Sequence, residues 1–260
     1  MKKILFTILM IVAAPVLSAN ILAKIYVIAD SNGTVIEQQN MYQIQPIASI
    51  TKLMTAMVVL DSGENLNHTF RMKKFRGTYV TRKQLLDLAI IHSDNEAADM
   101  LCQIYIRGYR GCIEDMNKKA EDLGMMDTIY FDSTGRDNRN MSTGLDLIKL
   151  LRAAEHYPII THASTQTHVG VTVPQLIKTK KHKKRKVERK LVTTHVEFAN
   201  TNPLVAKYDI VVSKTGYIKA SGGCLAMSAI VNGTKKYFII LNSKTTKTRI
   251  LDMEKLINRT

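Results

Sequence analysis

The sequence has only three cysteines in 260 residues, Cys102, Cys112 and Cys224, too few for a disulfide framework. In an oxidising compartment Cys102 could pair with Cys112 and leave Cys224 free; the expectation adopted is that all three are small buried hydrophobes. No Cys/His spacing matches a zinc site, so no metal is expected, and nothing calls for an organic cofactor. Beyond the first residues no stretch approaches the ~20 apolar residues that a membrane-spanning helix needs. Internal repeats are absent.

The apolar run that does exist stands at the start. In MKKILFTILMIVAAPVLSA, Lys2 and Lys3 precede Ile4 to Leu17, and Ser18-Ala19 supplies small residues for cleavage. This is the layout of a secretory signal peptide, and the run is short for a stable span. Residues 1–19 are read as the signal and 20–260 as one domain working outside the cytoplasm, in a periplasm or beyond. Cleavage after Ala23 and an uncleaved anchor are the alternatives.

Negative charge is scarce beside positive: the chain carries a formal +15. Much of the excess is local. The segment KTKKHKKRKVERK, residues 178–190, has nine Lys/Arg against Glu188 alone. Such a run reads first as a solvated loop and second as a contact for an anionic envelope polymer. Nucleic acid is not expected, because the run has no interleaved aromatics for stacking and the leader carries the chain away from DNA.

The mature chain opens with two alternating runs around Asn32-Gly33, a hairpin signal. A helix introduced by Pro46 is expected to run towards Leu60, and residues 61–80 read as loop. TRKQLLDLAII, with Thr81 as N-cap, NEAADMLCQIYI, GCIEDMNKKAEDLG before Gly124, and STGLDLIKLLRAAEHYP before Pro158 read as helices. DIVVSKTGYIKA, GCLAMSAIV and KKYFIIL then read as strands, followed by a terminal helix, TRILDMEKLI. Strands at both ends with helices between cannot form an alternating α/β repeat. The expected fold is α+β: an antiparallel five-stranded sheet from both chain ends, packed against a helical lobe.

Three short motifs carry chemistry. Ser49 and Lys52 stand at i and i+3 at the start of a helix, so their side-chain heads are in reach of each other. A serine hydroxyl is a poor nucleophile until a neighbour removes its proton. A lysine does so only when neutral, which requires its pKa to fall from ~10.4 to about 7–8. The bland alternative is an ordinary helix start. Ser93-Asp94-Asn95 follows in a break between helices; its bland reading is that Ser93 or Asp94 is simply an N-cap. Lys214-Thr215-Gly216 lies in a strand; its bland reading is an edge lysine turned to solvent. Its sharp reading is positive potential from Lys214, a hydroxyl donor in Thr215, and close approach of a substrate at Gly216.

Together and in this order the motifs resemble the serine enzymes that penicillin acylates. PIASITKLMTAMVVLD, FANTNPLV at 198–205 and SKTGYIKASGGCLAM at 213–227 are similar to the D-alanyl-D-alanine carboxypeptidase family of low-molecular-mass penicillin-binding proteins, most of all its short endopeptidases. The resemblance implies a β-lactamase/transpeptidase-like fold and an acyl-enzyme mechanism on peptidoglycan stem peptides, with β-lactams as covalent inhibitors. It implies Ser49 as nucleophile, Lys52 as base, and Ser93 as proton relay. Asn95, Lys214, Thr215 and Gly216 would bind substrate, and the backbone N–H groups of Ser49 and Tyr217 would form the oxyanion hole.

A class A β-lactamase shares the three motifs but needs a glutamate-bearing loop after the second. The corresponding stretch here, MMDTIYFDSTGRDNRN, has no glutamate. A non-catalytic basic cell-wall-binding relative is the other alternative. His92, next to Ser93, reads as a helix-end histidine.

Overall fold

The computed structural model describes residues 20–75, 77–180 and 187–260. The expected leader and the centre of the lysine run lie outside the described residues. In chain order the elements are β1 (Ile25–Ala29), β2 (Val35–Gln39), β3 (Gln45–Pro46), a 3-10 turn (Ala48–Ile50) and α1 (Thr51–Asp61). Next come β4 (Thr69–Met72), β5 (Thr78–Thr81), α2 (Arg82–Ile91), α3 (Asn95–Gln103), α4 (Gly108–Asp122), β6 (Met141–Ser142), α5 (Gly144–Ala154) and α6 (Pro158–Thr165). The chain closes with β7 (His168–Lys180), β8 (Val187–Ala199), a 3-10 turn (Pro203–Ala206), β9 (Asp209–Ile218), β10 (Gly222–Val231), β11 (Thr234–Ser243) and α7 (Thr246–Ile257).

The main sheet has the order β2-β1-β11-β10-β9, antiparallel throughout, so strands from both chain ends meet at β1 and β11. Side chains alternate between two cores. Ile25 and Val27 of β1 and Ile239 and Leu241 of β11 face the large helical lobe. Ile28, Phe238 and Ile240 face α7, together with Met253 and Leu256. Both faces are therefore dry, which is why β10 and β11 read as nearly continuous apolar runs rather than alternating ones. Asp252 of α7 anchors the segment before β1 by accepting from the backbone N–H of Ala23 at 2.9 Å.

Several boundaries differ from expectation. Pro46 does not open a helix: it pairs with Met141 in a two-residue ribbon, and α1 begins only after the 3-10 turn. Within residues 61–80, expected as loop, the chain forms the β4–β5 hairpin, which leads through the expected Thr81 cap, in a capping box with Gln84, into α2. Pro158 does not merely end α5; it sits in the first turn of a further helix, where its missing N–H costs nothing. The lysine run is not simply a loop, since 178–180 and 187–190 continue the two arms of a β7–β8 hairpin.

The cysteine expectation fails for two of three. Cys102 and Cys112 are joined in a disulfide, and Cys224 is free and buried. The end of α3 and the start of α4 bring the two Cα atoms to 5.4 Å, inside the bridging range.

Candidate active site

Ser49 stands in the 3-10 turn that feeds α1. The preceding Ala48 has φ of +48°, a left-handed conformation that a residue with a Cβ adopts only when its surroundings impose it. They do so from two sides. A Cβ added to Gly135 would stand 1.8 Å from the Ala48 carbonyl oxygen, and one added to Gly216 would stand 2.8 Å from that of Ile47 and 3.0 Å from Ser49 N. The turn is clamped between the loop 131–140 and strand β9. Gly216 thus serves first to let the serine turn lie against the KTG strand, a role its sequence position did not suggest.

Lys52, in the first turn of α1, is wholly buried. Its Nζ lies 2.8 Å from each of three acceptors: Ser49 Oγ, Asn95 Oδ1 and the Thr134 carbonyl oxygen. Burial pulls its pKa from 10.5 down to about 7, against the attraction of Asp132, Asp94 and Asp99. The choice of acceptors matters. A carbonyl and an amide oxygen can only accept, so a neutral amine gives them its two N–H groups and turns its lone pair to the hydroxyl of Ser49. The arrangement that holds the ammonium also aims the base.

The Thr134 carbonyl is placed by a loop organised on one carboxylate. Asp132 accepts from the backbone N–H of Thr134, Gly135, Arg136 and Asp137 and from Asn140 Nδ2, at 2.7–3.2 Å. Thr55 Oγ1 donates to the Ser133 carbonyl at 2.7 Å, and Asn140 Nδ2 to Thr51 Oγ1 at 3.1 Å, riveting the loop to α1. Nothing in the sequence singled out Asp132, Thr134 or Gly135; the cluster of turn-forming Asp, Asn, Ser and Gly in DSTGRDNRN was the available signal.

Ser93-Asp94-Asn95 turns the chain from α2 into α3. Asp94 is the N-cap, accepting from Ala97 N at 2.8 Å, while Ser93 takes φ of +59° and its hydroxyl has no hydrogen bond among the described residues. Asn95 gives its Oδ1 to Lys52, which leaves its Nδ2 as a donor for another group. His92 is the C-cap of α2 and packs on Phe198, as a helix-end histidine would. Thr201 ties this break to the third motif: its N–H donates to the Ile91 carbonyl at 3.0 Å, and its Oγ1 accepts from Thr215 Oγ1 at 2.6 Å.

Lys214 is not an edge lysine in solvent. It is 1% exposed, although β9 is an edge strand. Among the described residues its Nζ makes a single hydrogen bond, to the Thr215 carbonyl at 3.1 Å. Burial, then the charges of Lys52 and Arg249, hold its pKa well below the ordinary lysine value. Arg249 is equally unforeseen: in α7, it is buried, donates from Nη1 to the Gly216 carbonyl at 2.8 Å, and keeps an unpartnered Nε. Three basic side chains, Lys52, Lys214 and Arg249, converge on one small region with no carboxylate bonded to Lys214 or Arg249 among the described residues. Such a region attracts an anion. Tyr217, next along β9, is half exposed.

A serine whose hydroxyl faces a buried amine of low pKa, beside a cationic edge strand, defines a serine acyl-transfer enzyme. Sequence profiles are more specific: that of the D-alanyl-D-alanine carboxypeptidase family matches residues 10–74 and 63–245. The chain is 34% identical to a D-alanyl-D-alanine endopeptidase of Escherichia coli over 82% of its own length and 68% of the relative's. It is 33% identical to that of Pseudomonas aeruginosa over 88% and 74%. The fold matches the Streptomyces K15 DD-transpeptidase with a TM-score of 0.78 at 24% identity, over 94% of this chain and 98% of that one. It also matches ampicillin-bound penicillin-binding protein D2 of Listeria monocytogenes, with a TM-score of 0.76 at 22% identity over 92% and 97%. The chain belongs to the D-alanyl-D-alanine carboxypeptidase family of serine peptidases.

Proposed function

We propose that this chain is a serine DD-peptidase that cleaves peptidoglycan stem peptides at a D-Ala carbonyl, either a terminal D-Ala-D-Ala or a D-Ala–diamino acid cross-link, and that penicillin traps it as an acyl-enzyme. The observation that carries the reading is the 2.8 Å contact between Ser49 Oγ and a buried Lys52 Nζ whose pKa is about 7.

Ser49 Oγ attacks the D-Ala carbonyl carbon and its proton passes to neutral Lys52. The tetrahedral oxygen is held by the backbone N–H groups of Ser49 and Tyr217, each such donor worth roughly 10²–10³ in rate. Ser93 relays the proton to the leaving amine, the C–N bond breaks, and water later hydrolyses the ester. Asn95 Nδ2 donates to the substrate amide. Lys214 and Thr215, with Arg249 behind them, receive the carboxylate beside the scissile bond. That carboxylate supplies the countercharge Lys214 lacks, which favours a proton on Lys214 while Lys52 stays neutral. Residues 1–19 would direct the chain out of the cytoplasm, and the 178–190 run would hold it to anionic envelope polymer in a salt-sensitive way.

The test is labelling with fluorescent penicillin, wild type beside Ser49→Ala, followed by digestion of cross-linked muropeptides. Label on wild type alone, with muropeptide cleavage, is the expected result. An unlabelled wild type defeats the acyl-enzyme. Label without cleavage makes the chain a penicillin-binding relative without peptidase activity. Rapid turnover of a cephalosporin would favour the lactamase alternative.

A further inference from the structure

Asn95 has a second side. Beyond it opens a groove of about 360 Å³, walled by Asn95, Glu96 and Asp99 of α3, by Arg71 and Lys73 at the end of β4, and by Arg136 of the Asp132 loop. The groove therefore begins at a residue bonded to Lys52 and shares a wall with the loop that positions Lys52.

At several places on the helical lobe opposite charges close on each other, as in Lys83–Asp87 at 2.8 Å, Arg110–Glu114 at 2.9 Å and Lys118–Asp122 at 3.0 Å. In the groove Arg136 and Asp99 stand 3.7 Å apart, and Arg71, Lys73 and Glu96 have no ion-pair partner among the described residues. Asp99 is held from behind by Ser133 Oγ at 2.7 Å, Glu96 by the Lys74 N–H at 3.1 Å, and Arg71 by the Gly77 carbonyl at 3.3 Å. Asp99, Glu96 and Arg71 are thus each steadied by a neutral partner; Glu96 and Arg71 keep their charges unpaired among the described residues, and Asp99 has the 3.7 Å contact with Arg136 to exchange. Asp99 lies one helical turn from Asn95, about 6 Å along the axis. That is the reach of a short side-chain branch.

A ligand matching two carboxylates and facing guanidinium groups carries an ammonium and a carboxylate on one centre. On the peptidase reading, on which this inference rests, such a centre is at hand in the diamino acid of the stem peptide. We propose that this groove is a subsite for the free zwitterionic centre of that diamino acid, its carboxylate against Arg71 and Arg136 and its ammonium against Glu96 and Asp99. The subsite makes stem peptides that carry this free centre better substrates than D-Ala-D-Ala peptides without it.

The test uses three synthetic peptides identical around the scissile D-Ala bond: one with the zwitterion free, one with its carboxylate amidated, one with its amine acetylated. For wild type, kcat/KM should be roughly fivefold higher for the free form than for either capped form, the size expected of a few solvent-accessible charge contacts. In Arg71→Gln/Arg136→Gln the ratio of free to amidated should fall to about one while the ratio of free to acetylated persists; Glu96→Gln should reduce the second ratio and keep the first. Each ratio is taken within one variant, so a general loss of rate does not affect it. Wild type that is labelled by penicillin and cleaves all three peptides equally overturns the subsite and leaves the peptidase reading standing. Wild type that neither labels nor cleaves overturns both.

Discussion

The sharpest consequence of the Lys52 geometry concerns pH. With a pKa of about 7, the neutral amine is scarce at pH 6, roughly one molecule in ten, and dominant at pH 8, roughly nine in ten. The fall from 10.5 to about 7 corresponds to roughly 5 kcal/mol against the ammonium in its buried site. Acylation by penicillin at subsaturating concentration should therefore rise about tenfold from pH 6 to pH 8, with a midpoint near 7. Lys52→Arg should remove the limb together with the activity, because a guanidinium does not lose its proton in this range. Arg136→Gln provides a sign test. The Arg136 guanidinium is a positive charge that lowers the Lys52 pKa, so removing it raises that pKa and the midpoint moves to higher pH. The assay is the initial rate of fluorescent penicillin labelling at fixed ionic strength. A rate flat between pH 6 and 8, or a Lys52→Arg variant with the wild-type profile, would refute the assignment of the base.

Asp132→Asn should shift the acylation midpoint to lower pH, since it removes the carboxylate that most opposes the depression of the Lys52 pKa, and should lower thermal stability by about 2 kcal/mol; a midpoint moving upward would contradict the electrostatics. Gly135→Ala should reduce labelling at least tenfold, because φ of +80° costs an L-residue about 1–2 kcal/mol and the new Cβ meets the Ala48 carbonyl. A melting curve separates that local damage from loss of the fold. Replacing Cys102 and Cys112 by alanine should lower stability by roughly 3 kcal/mol, as for other short loops, yet keep penicillin labelling of the folded protein. The bridge sits about two helical turns along α3 from Asn95. Labelling abolished in a variant that still melts cooperatively would show that the bridge shapes the site.

Much of the fold was legible because its signals are local. The Asn32-Gly33 turn, the Thr81 cap and the apolar runs of β9 to β11 each act within a few residues, and the structure has hairpin, helix and strands there. The β4–β5 hairpin escaped because strands of four residues give too little alternation to read. β8 does alternate outside its basic end, in VTTHVEFA, a strand signal that the reading along the chain left unassigned. Pro158 was a stop signal and a start signal at once, and only packing of α6 against α2 and β9 distinguishes them.

The sequence by itself determined that a serine, a lysine, an asparagine and a KTG strand would exist on suitable local elements. Periodicity and capping act between neighbours, so they can be read from neighbours. Tertiary structure alone decided that Lys52 would be dry, that Thr134 would supply its third acceptor from 82 residues away, and that Arg249 would reach Gly216 from the terminal helix. Desolvation and charge repulsion depend on which distant groups share a small volume, and no spacing along a chain states that volume.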